Sequence, residues 1–120
     1  MSPRRKLAPP FEVRVIGPAT LVNGDCREVL AWYAMALEQG KAEAIHACVT
    51  DPPYELGFMG KSWDSTGVAA DPATWGWVLD VLRPGAHLLA FAGSRTYHRI
   101  ASAIEDAGAE IRDQLMWIYG

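Results

Sequence analysis

Residues 51–54 read Asp-Pro-Pro-Tyr and stand at the end of the apolar stretch AIHACVT. A proline fixes its own φ and pushes the residue before it out of the helical region, so Asp51 and Pro52 are both extended. Neither proline donates a backbone hydrogen bond. A stiff turn that carries one carboxylate and one aromatic ring is suited to holding a small planar group, with Asp51 as the acceptor and Tyr54 as the face. The same four residues also serve as a plain strand terminator, with Tyr54 covering a core edge. Taken alone, the motif leaves both readings open.

The elements around this turn follow from periodicity and punctuation. FEVRVIGPATLVNGD alternates and turns at Gly17-Pro18, which predicts two short strands, the second over Ala19–Asn23. Asp25 is placed to cap a helix over CREVLAWYAMALEQG, whose Val29, Leu30, Tyr33 and Leu37 fall at helical spacing before the stop at Gly40. The stretch AEAIHACVT is apolar enough for a parallel strand buried on both faces. Asp71 and Pro72 open a second helix through DPATWGWVLDVL, closed by Pro84-Gly85. AHLLAFA is the next strand, Arg95 to Ala107 a third helix stopped by Gly108, and EIRDQLMWIY a last strand reaching Gly120. This alternation predicts an α/β fold with an open, mostly parallel sheet. Ligands of such sheets collect at the carboxyl ends of the strands, where Asp51 stands.

Composition sets the outer bounds. With 120 residues, half of them hydrophobic, the chain matches one small domain or part of a larger one. A net charge of −3 gives no sign of a polyanion-binding surface over the whole chain. Cys26 and Cys48 stand far apart, and no Cys-x-x-Cys or His-x-x-His spacing offers a metal site, so free thiols in a reducing cytoplasm are expected. No apolar run approaches the roughly 18 residues that span a bilayer. Residues 1–10 combine three basic residues with three prolines and read as a disordered arm, leaving 11–120 as the folded part.

Together the motifs resemble those of a known family. DPPY at 51–54, LVNGDCREVL at 21–30 and GFMGKSWD at 57–64 look like the S-adenosylmethionine-dependent DNA amino-methyltransferases of the permuted type found in phages and prophages. The likeness continues through VLRPGAHLLAFAGSRTYHRIASAIEDAGAEIRDQLMWIYG at 81–120 and so covers nearly everything after Thr20. It implies a Rossmann-like sheet, S-adenosylmethionine as cofactor, double-stranded DNA with a flipped-out base as substrate, and a bacterial or phage-infected cytoplasm. The exocyclic amino nitrogen of adenine or cytosine is a poor nucleophile because its lone pair is delocalised into the ring. Acceptors aimed at its two N–H bonds favour the pyramidal nitrogen of the transition state over the planar ground state. The resemblance assigns these roles to Asp51 and the Pro52 carbonyl, with Pro53 stiffening the turn and Tyr54 stacking on the flipped base.

Other positions follow less directly. The likeness puts Asp25 near the adenosine of the cofactor, while locally Asp25 is explained as a helix cap; Asp51 would also border the cofactor. Lys61 and Trp63, in a glycine-flanked loop beside the turn, are candidates to close over a base and touch phosphate. FAGSRT at 91–96 is similar to the cofactor motif Phe-x-Gly-x-Gly, but Arg95 stands in place of the second glycine. It is read instead as a strand-to-helix turn, from which Ser94 and Arg95 could line the pocket or meet phosphate. Trp75 and Trp77 are expected to pack against a sheet, His46 to lie in the core, and His98 and Arg99 to lie on the surface.

Since no glycine motif precedes Asp51, the order is the permuted one, and WIYG at 117–120 looks like the start of a segment cut off in the middle. The chain then reads as an N-terminal catalytic half, inactive alone and completed by its missing C-terminal half or by a complementing chain. N6 of adenine is the expected target, with N4 of cytosine as the near alternative. An inactive remnant is the rival from another class. A methyltransferase of protein or RNA amides fits less well, because those begin the turn with Asn and carry the glycine motif first.

Overall fold

A computed structural model describes residues 9–55, 60 and 66–120. The chain is a mixed α/β protein whose described elements run β1 (Glu12–Ile16), β2 (Ala19–Asn23), α1 (Cys26–Glu38), β3 (Ile45–Thr50), α2 (Pro72–Val81), β4 (Leu82–Ala90) and α3 (Tyr97–Asp106). β1 and β2 form an antiparallel hairpin in which Glu12 faces Asn23 and Ile16 faces Ala19. Its two-residue turn puts Gly17 at φ 56° in front of Pro18. A positive φ followed by proline's fixed negative one is the type II′ pattern, whose twist matches that of the flanking strands.

The helices begin and end where side chains meet their orphan backbone groups. Asp25 caps α1, its Oδ1 accepting from the Arg27 backbone N–H at 2.9 Å, and Asp71 caps α2 by accepting from Ala73 N–H at 2.9 Å. Pro72 occupies the first turn of α2, where no N–H is needed. At the other end of α1, Gly40 (φ 68°) donates to the Leu37 carbonyl and Lys41 donates to Ala36, the paired bonds of a Schellman stop. Gly108 and Ala109 close α3 in the same way. Tyr33 Oη donates to the Glu43 carbonyl at 2.6 Å and ties α1 to the segment leading into β3.

The core lies where α2 meets α3. Ile100, Ala103 and Ile104 form the buried stripe of α3, and it packs with Trp75 and Val78 of α2 and with Ala69. Each large apolar side chain buried here stabilises the fold by about 1.5–3 kcal/mol relative to exposure. Leu82, Leu88 and Ala90 of β4 and Cys48 of β3 pack against this cluster, so the parallel β3–β4 pair is anchored to the helices.

Three parts of the sequence reading need correction. The sheet is not one mostly parallel array: the described strands make one antiparallel pair and one parallel pair. Pro84-Gly85 does not close α2. That helix ends at Val81, and β4 starts at Leu82, opposite Ile45, then slips so that Ala47 faces His87. The four residues from Arg83 to Ala86 accommodate the slip, with Gly85 at φ 77°. The third correction concerns EIRDQLMWIY, expected as the last strand, which forms no ladder. Alternation supplies the side chains of a strand but not its neighbour, and this segment has no partner among the described residues. Its Leu115, Met116 and Ile118 are exposed, while the Trp117 ring meets Phe91 edge-on with centroids 5.5 Å apart. Of the disordered arm predicted over 1–10, residues 1–8 lie outside the described residues.

Candidate functional site

β3 runs parallel to β4 and delivers Asp51, Pro52, Pro53 and Tyr54 at its carboxyl end. The ladder continues one bond past the strand, with Phe91 N–H donating to the Thr50 carbonyl at 3.0 Å. This fixes the backbone immediately before Asp51. The two prolines follow beyond the end of the strand. Tyr54 turns its ring back, its hydroxyl donating to Asp51 Oδ1 at 2.8 Å. Asp51 is exposed, and its Oδ2 has no hydrogen-bond partner among the described residues. Partial burial, followed by the bond to Asp51, pushes the Tyr54 phenol above its usual range. Both effects disfavour the phenolate, so Tyr54 stays a donor at neutral pH.

Two residues the sequence reading passed over hold the turn in place. Thr96 stands at the N-cap position of α3, yet its side chain makes no bond to the helix. Its hydroxyl instead donates to the Tyr54 carbonyl, 42 residues away. On the other side, Glu55 adopts φ 62°, the one non-glycine residue with positive φ among those described. Its carboxylate accepts from Gly67 N–H at 3.0 Å and from Ala69 N–H at 3.4 Å. Ala69 in turn accepts from Trp75 Nε1 at 2.8 Å. The turn is thus clamped between α3 and α2. The signal that could have found Thr96 is a residue of cap type at the start of a helix; nothing in the sequence marks Glu55 for a left-handed conformation.

Beside Asp51 opens a cleft of about 590 Å³. It brings together Asp51, Pro52 and Pro53 with Gly24 and Cys26, the neighbours of Asp25, and with Thr74 and Trp75 of α2. The DPPY and GDC elements therefore share one cavity. Cys26 and Cys48, both free, line it as well, and burial raises both thiols above their usual range, Asp25 adding to the effect at Cys26. Thr74 is 5 % exposed, and its Oγ1 has no partner among the described residues.

Asp25 itself is spent locally. Arg27 grips it through Nε to Oδ1 at 3.1 Å and Nη2 to Oδ2 at 2.9 Å, besides the capping bond. These bonds, the side-chain one first, hold the Asp25 carboxyl down at about 2. Arg95 is exposed in the turn before α3, next to Thr96, and does not line the cleft. Lys61 and Trp63 lie outside the described residues. Trp75 is buried, as expected of a packing residue, whereas Trp77 is 38 % exposed. His46, His98 and Arg99 are exposed, so His46 is not the core histidine the sequence suggested. A buried-looking parallel strand predicts burial only when both of its edges and faces are covered, and among the described residues β3 is paired on one edge alone.

Among the described residues no group of His, Cys, Asp and Glu is placed to hold a metal ion. Nor is any helix long and apolar enough to cross a membrane. No protein-family model, curated protein or solved structure matches the chain.

Proposed function

We propose that this chain carries the catalytic turn of an S-adenosylmethionine-dependent DNA amino-methyltransferase acting on a flipped-out base, with N6 of adenine as target and N4 of cytosine as the near alternative. The observation that supports it is a rigid Asp-Pro-Pro-Tyr turn at the carboxyl end of a parallel strand, with the Asp51 carboxylate on an open cleft. In this reading the parallel β3–β4 pair belongs to a Rossmann-like open sheet, and the protein works in a bacterial or phage-infected cytoplasm.

Asp51 Oδ2 accepts one N–H of the exocyclic amino group, and the Pro52 carbonyl accepts the other. Because both acceptors pair better with a pyramidal nitrogen than with a planar one, the stabilisation is differential. Tyr54, tethered by its hydroxyl to Asp51, presents its ring to the base. Thr96 and Glu55 keep these groups from drifting, and a displacement of an ångström would cost much of the orientation advantage. Lys61, Trp63 and Arg95 are proposed phosphate or base contacts.

S-adenosylmethionine is the methyl donor of this proposal, but the described residues do not make a pocket for it. Both oxygens of Asp25 are taken by Arg27, and Arg95 replaces the glycine that close backbone approach to the cofactor needs. Cofactor binding is therefore proposed for the protein as completed by a C-terminal half or a complementing chain.

The test is transfer of isotopically labelled methyl groups from S-adenosylmethionine to duplex DNA by the completed protein, with the product base identified. Removing a group that stabilises developing charge costs about 10²–10³ in rate, and Asp51→Ala should lose at least that while circular dichroism stays unchanged. Transfer that survives the substitution overturns the assignment. A second reading, an α/β module with no chemistry, draws on the missing glycine motif; it is favoured by a wild-type completed protein that leaves DNA unlabelled.

A further inference from the structure

The chain contains its own comparison for Asp51. Asp71-Pro72-Ala73 opens α2 and Asp51-Pro52-Pro53 follows β3, so the two triplets differ only in the third residue. An extended aspartate is readily captured by the backbone N–H two residues ahead. Asp25 accepts in this way from the Arg27 N–H and Asp71 from the Ala73 N–H, both at 2.9 Å. Their backbones lie at φ −63°, ψ 125° and φ −94°, ψ 116°, and Pro52 confines Asp51 to the same extended region. The residue two ahead of Asp51 is Pro53, which has no N–H, and Pro52 has none either. The capture cannot form, and Oδ2 is left without a partner among the described residues.

The bond that Asp51 does make comes from a side chain. The Tyr54 hydroxyl donates to Oδ1 at 2.8 Å. Tyr54 is itself anchored, because its backbone carbonyl accepts from the Thr96 hydroxyl at the start of α3. Burial and the bond to Asp51 raise the phenol above its usual range, so it remains a donor at neutral pH. A carboxylate held through one oxygen loses its free rotation while the other oxygen stays open to a ligand.

We infer that Pro53 and the Tyr54 hydroxyl are positioning groups for Asp51: the proline withholds the backbone N–H that would occupy the carboxylate, and the hydroxyl pins Oδ1 so that Oδ2 alone meets the exocyclic amino group. This rests on the methyltransferase reading and deepens it. Pro53 gains a role beyond stiffness, and the phenol gains one separate from its ring. A carboxylate engaged by its own backbone offers the amino nitrogen a weaker acceptor, and an untethered one is aligned in only a fraction of encounters. In both cases the cost falls on the transition state, which needs the acceptor aligned with a pyramidal nitrogen. Stacking of the base uses the ring and is spared.

Labelled methyl transfer by the completed protein gives kcat and KM for DNA, and nuclear magnetic resonance of the full chain reports on Asp51 without any turnover. Tyr54→Phe keeps the ring and deletes the hydroxyl, so kcat should fall about 10- to 100-fold while KM for DNA stays within about twofold. In the same variant the three-bond couplings to Asp51 Cγ should pass from those of one rotamer to averaged values. Pro53→Ala recreates the Asp-Pro-Ala triplet of α2, and kcat should fall over the same range. The amide proton gained at position 53 should then respond to protonation of a carboxylate, as that of Ala73 does. Pro53→N-methylalanine, made by peptide ligation, has no N–H and should recover most of the lost kcat. Wild-type completed protein that leaves DNA unlabelled defeats the methyltransferase reading and this inference with it. With a wild type that labels DNA, an unchanged kcat in Tyr54→Phe overturns this inference alone. So does a single Asp51 rotamer in that variant, an amide at position 53 indifferent to pH, or an N-methylalanine variant as slow as the alanine one.

Discussion

Replacing Glu55 separates a hydrogen-bonding contribution from a strain contribution at one position. Its carboxylate holds Gly67 N–H at 3.0 Å and, more weakly, Ala69 N–H at 3.4 Å. Ala69 is fully buried, so losing its acceptor strands a donor away from water. A hydrogen bond to a charged group contributes about 1.5–3 kcal/mol, and Glu55→Ala, which keeps a Cβ at φ 62°, should cost that range. Glu55→Gly loses the same acceptor but relieves about 1–2 kcal/mol of left-handed strain. Glycine returns about 0.5–1 kcal/mol of this as extra entropy of the unfolded chain. The glycine variant should therefore be the more stable of the two by about 0.75 kcal/mol, or about 0.4 M in urea midpoint at a slope of about 2 kcal/mol per molar. Urea unfolding followed by tryptophan fluorescence measures the midpoints, and amide exchange at Gly67 and Ala69 should speed up in both variants. If Glu55→Ala is as stable as wild type, or Glu55→Gly falls below Glu55→Ala, the clamp does not work as described.

Asp25 titrates at about 2 because Arg27 favours its charged form. Its contribution to folding is therefore complete above the ordinary value of 3.8 and is lost as pH falls toward 2, and in Arg27→Ala a carboxyl carbon shift titration should move the midpoint back up toward 3.8. At the turn, Asp51→Asn removes the anionic acceptor that keeps the Tyr54 phenol protonated, so a spectrophotometric titration should find its pKa lowered but still raised by burial; an unchanged midpoint would mean the bond at 2.8 Å is not populated in solution. Trp75→Phe keeps the ring in the core but deletes the 2.8 Å bond to the Ala69 carbonyl, and should cost about 1–3 kcal/mol in urea unfolding. Trp75→Ala, which also leaves a cavity, should cost about 3–5 kcal/mol.

The amino-acid sequence by itself determined whatever is settled within a few residues. Asp25 and Asp71 mark the helix starts because a cap reaches only two or three positions ahead, and Gly40 and Gly108 mark helix ends because the left-handed stop is local. The β1–β2 hairpin was legible from alternation and Gly17-Pro18, and the DPPY turn from proline's own constraint. Tertiary structure decided what depends on distant partners. It assigned Thr96 to the Tyr54 carbonyl rather than to its own helix, twisted Glu55 to reach Gly67 and Ala69, and brought GDC and DPPY to one cleft. It also left 110–119 outside any ladder and His46 exposed, because a strand is completed by its neighbours, and no window of sequence around a strand names them.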